Sequence, residues 1–117
     1  MANMSFMLTE PQILARTKTV TRRLGWLKLK AGDELVAIYK GMGLKSGEKV
    51  RQLARIRVVS VRREPLRLMR AEPYGSAEAN MEGFPDMSGS EFVAMFAGHM
   101  ACDDRTEVTR IEFEYLD

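Results

Sequence analysis

An α+β fold, a small β-barrel with two or three short helices, is what this chain predicts, and three observations carry the expectation. Its 117 residues suffice for one compact domain, 1–117, around a single core, and are too few for two. Most apolar residues fall in short runs rich in β-branched side chains, the mark of strands. Only a few segments carry helix start signals, and each of these is short.

The elements follow in order. Thr9 to Thr17 offers a hydroxyl cap and an early proline, which predicts one short helix. Lys18-Thr19-Val20-Thr21-Arg22-Arg23 changes character to β-branched residues and begins an extended segment. Lys30-Ala31-Gly32-Asp33 reads as a turn, and Glu34 to Lys40 after it as a strand. Gly41, Gly43, Ser46 and Gly47 mark an exposed connection. A long strand from Val50 to Arg62 follows, and Glu64-Pro65 ends it. Leu66 to Arg70 allows one helical turn before a loop around Pro73 and Gly75. Ser88-Gly89-Ser90-Glu91 caps a helix that carries Phe92, Val93, Met95 and Phe96 and ends near Gly98. Thr106 to Leu116 closes the chain as a strand, and no repeat or low-complexity segment interrupts this order.

Composition excludes several classes. Apolar residues make up 45% and charged residues 29%, the balance of a folded globular domain rather than a disordered or fibrous one. No run approaches the roughly 18 apolar residues of a membrane span, and no export signal is evident, so a cytoplasmic protein without a membrane partner is expected. One cysteine, Cys102, and one histidine, His99, leave no multi-cysteine or histidine cluster, so neither a metal nor a cofactor is called for.

The net charge of +2 conceals a segregation along the chain. Residues 1–70 carry 16 basic and five acidic side chains, whereas residues 71–117 carry two basic and 11 acidic ones, a balance of +11 against −9. In a domain with one core the halves attract each other across their contact. The functional counterpart is a basic face for phosphates, with Lys18, Arg22, Arg23, Lys28 and Lys30 clustered in one stretch and Arg51, Arg55, Arg57, Arg62 and Arg63 in another.

The order of features resembles an ASCH domain, a small barrel of the PUA-like superfamily. The resemblance rests on Ile13-Leu14-Ala15 at a helix end, the string Lys18 to Arg23, the turn Leu29 to Asp33 before a strand, Glu82-Gly83-Phe84 before a helix, and the terminal strand Thr109 to Phe113. Within that superfamily, the small bacterial amidohydrolases that deacylate N(4)-acetylcytidine share the pattern Lys-x-x-Thr-x-Arg, present here as Lys18, Thr21 and Arg23. The resemblance implies Thr21 as nucleophile, Lys18 as proton acceptor and Glu82 as proton donor, with Arg23 and Phe84 binding the substrate. Two departures stand out: Arg16 occupies a position commonly glycine, and the loop from Gly41 to Lys49 is long enough to reshape a cavity mouth.

The chemistry sets its own conditions. A threonine hydroxyl needs an adjacent base, and a lysine serves as one only when neutral, which burial and the neighbouring Arg22 and Arg23 favour. Glu82 would have to carry a proton to donate it, which asks for an apolar setting, with Phe84 and Met81 as walls. In a regular strand residues three apart point to opposite faces, so Lys18 and Thr21 meet only if the chain turns between them. Otherwise the string is a set of solvated charges with ordinary strand threonines.

Other residues have plainer readings. Trp26, beside Leu24 and Leu27, belongs to the core or its rim rather than to a base stack. Met95 and Met100 are packing residues, and His99 is a partner for a helix end. Cys102 lies beside Asp103 and Asp104, whose charges disfavour a thiolate. Glu78 and Glu91 rival Glu82 as the acid. The function that the resemblance implies is removal of the acyl group from N(4)-acylated cytidine or a related nucleoside. The alternatives are a non-catalytic RNA-binding module and an RNA-cleaving ASCH domain.

Overall fold

A computed structural model describes residues 1–116. Its frame is one five-stranded sheet in the order β1-β3-β4-β5-β2, with β1 at Ala2–Ser5, β2 at Val20–Arg23, β3 at Glu34–Ile38, β4 at Gln52–Pro65 and β5 at Glu107–Tyr115. Only β1 and β3 run parallel; the other pairs are antiparallel. The sheet curls into a partial barrel with β1 and β2 as its two edges. Three helices complete the α+β fold: α1 at Glu10–Leu14, α2 at Tyr74–Met81 and α3 at Gly89–Met100. No described helix is long and apolar enough to cross a membrane.

β4 explains how one sheet serves two layers. Its first half pairs with β3 and its second with β5, and the register slips between Val58 and Ser60, a bulge that bends the strand. The strand runs on through Glu64-Pro65, where the sequence puts its end, because Pro65 sits at the last paired position opposite Glu107 and no further ladder bond is needed. Helix α3 starts as expected: the Ser88 hydroxyl accepts from Glu91 N–H at 3.1 Å while Ser88 N–H donates to the Glu91 carboxylate at 2.8 Å.

Two elements depart from the sequence reading. Strand β1 lies in a segment assigned no element, and α2 occupies the expected loop around Pro73 and Gly75. Gly75 and Gly89 let α2 and the start of α3 close on each other, since a Cβ on either would fall within 1.8 Å of the Met69 carbonyl oxygen.

The single expected core is instead two apolar clusters. One fills the barrel with Met4, Phe6, Ile13, Leu35, Ile56, Val58, Ile111 and Phe113, and Trp26 packs at its rim as anticipated. The other joins Leu66, Met69, Ala79, Phe92, Val93, Phe96 and Val108 beneath the helices. The charged segregation of the chain is only partly a contact between halves: Lys18–Glu82 and Arg57–Glu114 cross it, while Arg55–Glu34 and Arg110–Glu78 stay within one half.

Candidate active site

A cavity of about 250 Å³ opens where the two edge strands leave the barrel unclosed. It is lined from the β1 side by Phe6, Met7 and Thr9, from β2 by Thr21, Arg22 and Arg23, and from the helices by Glu82, Phe84, Phe92 and Phe96, with Lys18 at its base. The structure therefore brings Lys18, Thr21, Glu82, Arg23 and Phe84 to one cavity; Met81 is not among its lining residues.

Lys18 and Thr21 reach one cavity because Lys18 stands outside the regular strand that carries Thr21. Lys18 lies ahead of β2, on the connection from α1, and Arg16 redirects the chain there with φ of 62°. That left-handed conformation is the one a glycine adopts without cost, so Arg16 meets by strain what the commoner glycine meets freely. The Arg16 guanidinium stacks 5.2 Å from the Tyr115 ring. Tyr115 O–H donates to the Lys18 carbonyl at 2.6 Å, and burial pushes that phenol up to about 12. Thr19 N–H donates to Met81 O at 2.8 Å, which ties the same segment to the end of α2.

Glu82 owes its place to the way α2 ends. Gly83 N–H donates to Asn80 O and Phe84 N–H to Ala79 O, with Gly83 at φ of 103°, so Glu82-Gly83-Phe84 forms a Schellman stop. This leaves Glu82 at the helix C-cap and Phe84 against Phe92 at the cavity wall, their ring centres 6.1 Å apart. Lys18 Nζ donates to the Glu82 carbonyl at 2.8 Å and to its Oε1 at 2.7 Å, a cation held at a helix C-terminus.

The solvated-charge alternative does not survive burial: Lys18 is 2%, Thr21 3% and Glu82 3% exposed. Desolvation holds the Lys18 ammonium below its usual range, opposed by Glu82 and helped by Arg23 and Arg22. The expected apolar setting of Glu82 is instead an ionic one, because Arg22 Nη1 donates to its Oε2 at 3.1 Å. Arg23 Nε donates to Thr21 Oγ1 at 3.1 Å, and its guanidinium lies 4.6 Å over the Phe6 ring.

The rival acids separate cleanly. Glu91 caps α3, and Glu78 accepts from Arg22 at 2.5 Å and from Arg110 at 2.6 and 3.0 Å. Burial works to raise the Glu78 carboxyl, but the two arginines overcome it and hold it below its usual range. Neither residue lines the cavity. Glu64 and Tyr74 complete the network around Arg22, which burial disfavours but the three carboxylates raise. Glu64, Tyr74 and Arg110 escaped the sequence reading, and only their burial beside Arg22 reveals them.

Two minor expectations change. His99, Met95 and Met100 line the cavity, so α3 presents them to the site as well as to packing and the helix end. The Gly41–Lys49 loop contributes none of the lining residues; Leu44, Glu48 and Lys49 border a separate hollow beside Tyr39 and Arg51.

Comparison with known proteins identifies the fold. No family model and no curated protein matches the chain by sequence. Among solved structures, an ASCH domain from Lactobacillus crispatus JV V101 superposes with a TM-score of 0.60 at 14% identity, over 97% of this chain and 78% of that one. Hypothetical protein PH0355 gives 0.63 at 17% identity, over 98% and 96%. A protein of Enterococcus faecalis V583 assigned to family DUF984 gives 0.58 at 20%, over 94% and 71%. The chain thus shares the fold of that ASCH domain.

Proposed function

We propose that the cavity hydrolyses the acyl amide of N(4)-acylated cytidine or a related nucleoside. The observation that carries this reading is the joint burial of Lys18, Thr21 and Glu82 against phenylalanine walls, in a cavity below the roughly 300–1,000 Å³ usual for drug-sized ligands and so suited to one acylated base.

The Lys18–Glu82 hydrogen bond makes the roles compatible. Moving its one proton from Nζ to Oε1 turns the lysine into a base and the glutamate into an acid, and burial of the ammonium favours that shift. Thr21 Oγ1 then adds to the acyl carbon while its proton passes to Lys18 Nζ. The C–N bond breaks as Glu82 protonates the departing exocyclic nitrogen, which leaves the acyl group as an ester on Thr21. Water cleaves that ester, releasing a carboxylic acid and restoring the hydroxyl. The net change is amide plus water to amine plus acid.

An RNA face draws less support, because the β4 arginines are engaged within the chain. Arg51 pairs with Glu10 and lies over Tyr39, Arg57 meets Glu34 and Glu114, Arg62 meets Glu64, and Arg63 donates to Thr109. The test is incubation with N(4)-acetylcytidine, with cytidine release followed by chromatography. Thr21→Val keeps the branched shape and should lower turnover at least a hundredfold while the nucleoside still binds. Wild-type turnover in that variant would exclude the threonine.

A further inference from the structure

The surroundings of Arg23 pose a question that the reaction above does not use. The buried ionic cluster holds three cations, Lys18, Arg22 and Arg110, against three carboxylates, Glu64, Glu78 and Glu82, and the half-buried Arg23 lies at its edge as a fourth cation. Arg22 through its two Nη atoms, and Arg110, are paired with carboxylates, and Lys18 with Glu82. Among the described residues Arg23 has no carboxylate partner: its contacts are the Thr21 hydroxyl through Nε and the Phe6 ring beneath it. Its guanidinium lines the cavity, and among the described residues no hydrogen bond engages its Nη atoms. Desolvation pulls it down to about 10, against the influence of Glu82, as expected of a cation partly withdrawn from water with no carboxylate in direct contact.

We propose that Arg23 is a carboxylate subsite, and that the acyl group accepted by this cavity carries a second carboxylate a few bonds from the scissile amide. The inference rests on the amidohydrolase reading for the word acyl, and on the cavity alone for the carboxylate. Position selects this anion over a nucleotide phosphate. Arg23 Nε is 3.1 Å from Thr21 Oγ1, so its partner lies about one guanidinium width from the attacked carbon. A 5′-phosphate, on the far side of base and ribose, does not reach there when the exocyclic amide meets Thr21. A planar carboxylate also matches the bidentate Nη edge. The phenylalanines on the opposite wall, Phe84, Phe92 and Phe96, take the base.

Three substrates and three free ligands test the subsite. N(4)-succinylcytidine should be cleaved with kcat/KM roughly ten- to a hundredfold above both N(4)-acetylcytidine and the neutral methyl ester of the succinyl compound. Arg23→Gln should erase that ratio, and Arg23→Lys should restore part of it; a purely structural role for Arg23 would lower all three rates and leave the ratio unchanged. Independently of catalysis, titration of the wild type with succinate, followed by amide chemical shifts, should show binding at the cavity that succinamide lacks and Arg23→Gln loses. A 5′-monophosphate of cytidine that binds through Arg23 in place of succinate overturns the choice of anion. If acylated cytidines are inert but succinate binding depends on Arg23, the subsite stands and the amidohydrolase reading falls. If acetyl and succinyl compounds turn over equally and succinate does not bind, the subsite falls and the amidohydrolase stands.

Discussion

Glu78 and Glu82 stand four residues apart on one side of α2, and both accept from Arg22, yet they do different work. Glu78 is enclosed by arginines, Arg22 and Arg110, neither of which gives up its proton. Its charge is therefore fixed, and it ties β2 and β5 to the helical layer. Glu82 has one arginine and one lysine, and the lysine is a partner that can become neutral. On the proposed reading, the same ionic cluster holds the fold at one end and keeps a movable proton at the other, beside the cavity.

The largest effect expected from that difference is kinetic. Glu82→Gln should slow deacylation of N(4)-acetylcytidine by roughly a hundred- to ten-thousandfold, the usual worth of a positioned acid, while folded Glu78→Gln protein should stay within about tenfold of the wild type. Comparable losses in both would merge the two ends.

Stability should rank them the other way. Glu78→Gln leaves Arg110 without its carboxylate and should cost about 3–5 kcal/mol in chemical denaturation. Glu82→Gln should cost less, about 1–3 kcal/mol, because Arg22 keeps Glu78 and Glu64 and Lys18 can shed its charge. Equal losses would mean that Lys18 is as permanently charged as the arginines.

The smallest effect concerns the approach to Lys18. Arg16→Gly removes left-handed strain and the Tyr115 stack together and should be tolerated within about 1 kcal/mol. Arg16→Val asks a β-branched residue to hold the same φ and should be about 1–2 kcal/mol less stable than the glycine variant by thermal melting. If the two melt together, the turn is not what places Lys18.

Much of this arrangement is legible in the sequence, for identifiable reasons. The strands at Glu34 and Thr106 and the helix after Ser88 announce themselves by β-branched runs and a capping box, signals that are local. Lys18, Thr21 and Arg23 are legible as a spaced string, whereas Glu82-Gly83-Phe84 is legible only as a segment before a helix, and its role as the stop of α2, with Gly83 at positive φ, emerges once that helix is seen. Strand β1 is too short to show a period and is held by its parallel pairing with β3. Helix α2 has no apolar stripe, and it buries Gly75, Glu78 and Ala79 because the sites they enter are a close backbone approach and two arginines. Buried charge is invisible to hydrophobic pattern, so Glu64, Glu78 and Arg110 look like surface until the elements meet.

The movable proton is the centre of the account, and Lys18 reports it directly. Titration of its side chain by carbon-detected NMR should give a midpoint below the ordinary 10.5, since desolvation outweighs the attraction of Glu82. Removing that attraction in Glu82→Gln should lower the midpoint further, because Glu82 favours the ammonium form. Glu78→Gln, which removes no direct contact of Lys18, should leave it nearly where it was. A wild-type midpoint at or above 10.5, or one that does not move when Glu82 loses its charge, would contradict the shared proton and the reaction built on it.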